Sequence, residues 1–163
     1  MNEIVWIQIS EALTDSELSV VEETLSLKIP DSLKQHYLSQ NGGIPECRKL
    51  YFVPPGSSQH DVDQVSFRAF NPIKYKVRPK QETLEEIFAD FKDQNLFDST
   101  RFIPFAFDVS AFPFLMDVQT EEIYLLDRDD VDDEGHERIK FVAKSLEVFI
   151  SGFIPWEIYE AEA

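Results

Sequence analysis

Apolar residues fall at helical spacing in four stretches of the chain and alternate or cluster in six others. Leu18, Val21 and Leu25 line one face of a first helix. Thr14 and Glu17 supply a capping box at its start, and Leu13 with Leu18 matches a hydrophobic staple. A second helix is predicted from Pro30 to Ser39. Ile29, Leu33 and Tyr37 lie four apart, and Leu38 widens the stripe. Pro30 suits a first helical turn, where its missing N–H is not needed. Asp31 sets a carboxylate at the positive end of that helix. Asn41-Gly42-Gly43 then reads as a helix stop, because Asn and Gly tolerate the left-handed conformation of a C-terminal cap.

The third helix has the clearest signal. Thr83 and Glu86 form a second capping box, and Leu84, Ile87, Phe88 and Phe91 follow at i, i+3, i+4 and i+7. A fourth is carried by Leu146, Phe149, Ile150 and Phe153, with Gly152 and Pro155 near its end. Leu33, Tyr37, Ile87, Phe88 and Phe149 are the core residues these stripes select.

Strands are predicted over Lys49 to Val53, stopped by Pro54-Pro55-Gly56, and over Val65 to Ala69, where Phe67 alternates with Ser66 and Arg68. A polar loop, Gly56 to Gln64, lies between them. Phe102 to Phe107, Phe112 to Val118 and Glu122 to Leu126 are apolar strand candidates, the last two joined by Gln119-Thr120-Glu121. Pro104 and Pro113 cannot donate to a ladder, so each marks an edge, a strand start or a bulge. After an acidic loop, Arg138 to Ala143 alternates again. Helices do not interleave one-for-one with strands. The order therefore predicts an α+β fold, a largely antiparallel sheet flanked by helices.

Composition adds three points. A chain of 163 residues, 43% hydrophobic and 13% aromatic, fits one domain with a real core. Fifteen Lys and Arg against 31 Asp and Glu give a net charge of −16. Such a field repels nucleic acid and anionic membrane and favours a basic partner or plain solubility. Cys47 is the only cysteine, so no intrachain disulfide forms. Met1 to Ile9 lacks the basic start of a signal peptide, and no apolar run reaches the length of a membrane span. The expectation is a cytoplasmic chain.

Catalytic and metal chemistry find little support. His36, His60 and His136 have no His or Cys neighbour at metal spacing. Cys47 has no nearby histidine and reads as a small buried or semi-buried residue. Ser10, Ser57 and Ser58 sit in no nucleophile elbow. Asn41-Gly42-Gly43 follows a helix, so it is not a phosphate cradle. Asp130, Asp132, Glu134 and Gly135 mimic the start of an EF-hand loop, but the twelfth position is Phe141, not a bidentate glutamate. No cofactor is expected. Lys74, Lys76, Arg78 and Lys80 form a basic stretch whose default reading is a solvated loop. The densest charge runs from Asp127 to Glu137: Asp127, Asp129, Asp130, Asp132, Asp133, Glu134 and Glu137, opposed by Arg128. It reads either as a solvated hairpin tip or as a partner surface.

These motifs together resemble the Smi1/Knr4 (SUKH) superfamily. The pattern is an apolar helix from Val21 to Leu27, the step Ile29-Pro30, then Leu33, Tyr37-Leu38, the glycine pair of Asn41-Gly42-Gly43, and a strand at Leu50-Tyr51-Phe52. Phe102-Ile103-Pro104-Phe105 with Asp108, then Phe114-Leu115-Met116-Asp117 and Ile123-Tyr124-Leu125, resemble the later strands. A C-terminal helix from Leu146 to Phe153 completes it. The resemblance covers about residues 14–153, within one domain of 1–163. It departs at Val109-Ser110-Ala111, where relatives often carry glycines. It implies a non-enzymatic immunity protein that binds a cognate toxin domain, often a nuclease, and blocks it in the cytoplasm. The alternative it implies is a scaffolding or regulatory domain with a non-toxin partner. On the immunity reading the carboxylates from Asp127 to Glu134 belong to the partner surface, and the partner is basic.

Overall fold

The structure, a computed structural model, describes residues 4–46, 49–52, 63–133, 135 and 137–153. Cys47, Ser57, Ser58, His60, Glu134 and His136 lie outside the described residues, as does the stretch 53–62. Twelve elements follow one another among the described residues: β1 (Trp6–Ile9), α1 (Asp15–Leu25), α2 (Asp31–Ser39), β2 (Gly42–Pro45), β3 (Lys49–Phe52), β4 (Asp63–Phe70), α3 (Leu84–Asp93), β5 (Phe102–Asp108), β6 (Pro113–Asp117), β7 (Ile123–Val131), β8 (Glu137–Ala143) and α4 (Leu146–Ser151).

The strands form one antiparallel sheet in the order β1-β2-β4-β5-β6-β7-β8, with β3 also paired to β4. The fold is α+β, as the element order predicts. The capping boxes lie where the sequence puts them: Thr14 and Glu17 open α1, and Thr83 and Glu86 open α3. Pro113 starts β6, and Pro104 lies at a register shift between β5 and β6, two of the positions a strand proline can occupy. All four helices feed one apolar cluster. Leu18, Val21 and Leu25 come from α1, Leu33 and Tyr37 from α2, Leu84 and Phe88 from α3, and Leu146 and Phe149 from α4. Phe149 is its hub, with ring contacts to Phe67, Phe70, Phe105, Phe114 and Phe153.

Three expectations need correction. The glycine pair does not cap α2. That helix ends at Ser39 with an extended Gln40, φ −158 and ψ 113. Gly42 and Gly43 instead open β2, with φ +73 and +100. Crowding explains them: a Cβ on Gly42 would lie 3.2 Å from the Cβ of Pro72, and one on Gly43 3.1 Å from the Gln40 side chain. The asparagine before them has its own task. The buried Asn41 donates through Nδ2 to the carbonyls of Glu11 (2.9 Å) and Ile73 (2.8 Å), and its Oδ1 accepts from Ile73 N–H (2.8 Å). Pro30 also stands one step earlier than predicted, at the N-cap and not inside the first turn. Ile29 before it is buried.

The third correction concerns the acidic stretch. It is not a loop from Asp127 onward, because β7 continues through Val131 and pairs with β8 in the register Leu126↔Ile139, Asp127↔Arg138 and Val131↔Glu137. Cross-strand pairing overrides the low strand propensity of aspartate. The acids therefore ride on a hairpin arm at one edge of the sheet.

Candidate partner-binding surface

The arm is built from alternation. Within β7, Ile123 and Leu125 belong to the helix-covered core, while Tyr124 and Leu126 take the other face. Past Leu126 the apolar residues give way to carboxylates. Asp127 is half-buried and pairs with Lys140 Nζ at 2.8 Å, and its Oδ1 accepts the Asp129 N–H at 3.0 Å. The Lys140 hydrogen bond holds this carboxyl below its ordinary range. Asp129 and Asp133 are exposed, and Asp130 and Asp132 half-buried. Gly135, at φ +84, donates to the Asp132 carbonyl and turns the chain back. Between Glu122 and Lys140 the sequence holds eight acidic and three basic residues.

Two other aspartates shape the neighbouring hairpins. Asp108 accepts from the N–H groups of Ser110 (2.9 Å) and Phe112 (2.8 Å). Burial pushes its carboxyl up. The turn it organises holds Ala111 in the left-handed region, at φ +63. Asp117 is fully buried. Burial alone would raise its carboxyl, but Arg101 and the N–H groups of Gln119 and Thr120 outweigh that and hold it low. Both carboxylates are engaged by their own turns.

On the outer face of this region the register aligns residues that sequence reasoning did not connect. Leu115 faces Tyr124, Tyr124 faces Phe141, and Leu126 faces Ile139. The rings of Phe102, Tyr124 and Phe141 meet edge-on, with centroids 6.0 and 5.8 Å apart. Each ring is half-buried, and Ile139 is 44% exposed. The available signal was period-two alternation in three separate strands, and it means nothing until the register is known.

Elsewhere the polar groups close on each other. Lys74 pairs with Glu17 at 2.7 Å and Lys76 with Glu86 at 3.0 Å, and Arg78 donates to Gln8. Most of the basic stretch is thus tied to its own chain. The depression at the end of α1 is lined by Glu22, Ser26 and Leu27, but Glu22 already holds Lys34 and the Ile29 N–H. No group of His, Cys, Asp and Glu among the described residues could hold a metal ion. No helix among them is long and apolar enough to cross a membrane.

An antiparallel meander, helices gathered on one core and a charged hairpin arm define an α+β domain. The family model described as the SMI1 / KNR4 family (SUKH-1) matches residues 12–152, and the chain belongs to that family. No curated protein sequence matches it.

Proposed function

We propose that this chain is an immunity-type protein that binds a cognate toxin domain in the cytoplasm and neutralises it by occlusion. The target class that fits is a nuclease with a basic cleft. Asp127, Asp129, Asp130, Asp132, Asp133 and Glu134 belong to the contact. The observation that carries the reading is the arm. Edge protection asks for a few charges on the outermost strand, whereas here the acids crowd the penultimate strand and the turn beyond it. Carboxylates so placed imitate a phosphate backbone, and with a net charge of −16 they speed capture of a basic partner. Membership of the SUKH-1 family supports a binding role.

The test is growth of cells expressing the toxin domain encoded next to this gene, with and without this chain. Restored growth and a stable complex support the proposal. A toxin domain that stays lethal beside the expressed chain, or a neighbourhood without one, overturns it in favour of a regulatory binding role.

A further inference from the structure

We infer that the outer face of β5 to β8, centred on Ile139 and the Phe102–Tyr124–Phe141 ladder, is the docking centre for a basic protein surface that presents arginine or lysine beside apolar side chains. This deepens the reading above and rests on it. The face has the build of an interface core. Leu115 and Leu126 are buried beneath it, three aromatic rings are half-buried, and Ile139 is open to solvent in the register position opposite Leu126. Rigid aromatics of this kind supply contact area at low entropic cost, and they dominate binding where charged rims steer. The side chains of β5 and β7 that point the other way are already taken by the core: Ile103, Ile123 and Leu125 belong to the helix-covered cluster.

The chemistry of the occupant is visible in the face itself. The Arg101 guanidinium lies 5.7 Å from the centre of the Phe102 ring and bonds Asp117 at 2.6 Å. The Tyr124 hydroxyl, next along the ladder, donates to Glu122. A cation on an aromatic ring beside a carboxylate is therefore already one arrangement this surface holds. Tyr124 with Glu122 repeats the ring and the carboxylate, and among the described residues no cation lies over the Tyr124 ring, although the Arg101 charge acts on its hydroxyl. A partner arginine or lysine set over that ring completes it through the same cation–π and ionic attraction. The acidic arm continues the same two strands and adds long-range attraction for such a partner.

The experiment selects a phage library of fragments of the source genome on the wild-type chain. Each recovered fragment is then measured against Ile139→Arg, against Ile139→Ser, and against Val20→Arg, which puts the same charge on an exposed site of α1. The inference expects basic fragments whose binding weakens about 30-fold or more with Ile139→Arg, about tenfold with Ile139→Ser, and stays unchanged with Val20→Arg. The serine variant decides the matter if the arginine variant melts early. Fragments that bind all three variants equally overturn the docking face and leave the functional reading standing. Recovery of no binding fragment overturns both.

Discussion

The two edges of this one sheet carry opposite chemistry. At β1, residues Ile4 to Ile9 hold no charge, and Val5, Ile7 and Ile9 are exposed. This edge is secured from within. Trp6 packs edge-on against His36, Phe70 and Phe153, Gln8 breaks the strand geometry at φ +54, and Asn41 ties the adjoining turn to Glu11 and Ile73. A kink on an edge strand discourages strand addition without any charge. At the other edge, β7 and β8 pair with register shifts at Ile123/Tyr124 and between Asp127 and Val131, and Arg128, Asp129 and Asp133 are exposed. The same need, to keep an edge from pairing, is met by backbone geometry alone on one side and by charge added to irregular pairing on the other. The charge on the second side exceeds that need, and this excess directs the functional reading to the arm.

If the β1 side is structural, changes there must cost stability whether or not a partner is present. Asn41→Leu is the largest. It orphans the buried Ile73 N–H, takes this partner from the part-buried Glu11 carbonyl and leaves the Ile73 carbonyl with the Tyr75 N–H, and a buried group costs about 1–3 kcal/mol when orphaned. Urea unfolding should show a loss of about 3 kcal/mol or more. A loss below about 1 kcal/mol would mean that water replaces the side chain and that the junction is looser than its geometry implies.

Acid should act on the same side by nearly as much. His36 is enclosed by Trp6, Tyr37 and Phe70, its Nε2 has no hydrogen-bond partner among the described residues, and burial holds its pKa down at about 4 from 6.5. Between those values the unfolded chain binds a proton that the folded chain refuses. This contribution to stability is therefore whole above pH 6.5, and it falls as pH drops towards 4. The slope is about 1.4 kcal/mol per pH unit, about 3 kcal/mol in all. His36→Phe should flatten that part of the curve, while the carboxylates common to both proteins cancel in the comparison. Identical slopes for the two proteins would place the sensitivity in other groups.

How much of this was legible in the sequence depends on whether a signal is local. The capping boxes of α1 and α3 and the apolar spacing of α3 act within one or two turns, so both helices could be read directly. The strand β1 could not. Its four residues carry no distinctive alternation, and its existence rests on pairing with Gly42 to Pro45. That partner was itself hidden, because a left-handed glycine gives the same signal whether it ends a helix or opens a strand. The acids of the arm were visible by composition, but the continuation of β7 through them required the cross-strand partners in β8. The aromatic ladder was the least legible part, since it joins residues of three strands across a register that only the folded sheet sets.

A smaller effect separates crowding from chance at the glycine pair. Gly42→Ala would force an alanine into the left-handed region, at about 1–2 kcal/mol, with its methyl 3.2 Å from Pro72. Thermal unfolding should show a loss of that order or slightly more. A variant as stable as the wild type would show that the β2 backbone relaxes to negative φ and that Pro72 yields, which removes the steric reason for glycine there.

The smallest effect on the fold is expected where the functional claim is strongest. Asp129 and Asp133 are exposed and lie among like charges. Exposed charges of this kind contribute little to stability, so the double variant Asp129→Asn, Asp133→Asn should unfold within about 0.5 kcal/mol of the wild type at physiological salt. At low ionic strength it should become slightly the more stable of the two, because repulsion inside the arm is then screened over a longer distance than the roughly 8 Å of physiological salt. Chemical denaturation at two salt concentrations measures both. A loss above about 1 kcal/mol would show that these carboxylates are built into the hairpin as Asn41 is built into the opposite junction. The contrast between the edges would then be one of residue type alone, and the case for an outward-facing arm would fall with it. A neutral result leaves the arm as a place where two removable charges do nothing for the fold, so that any slowing of capture of a basic toxin domain by the same variant is an effect on recognition.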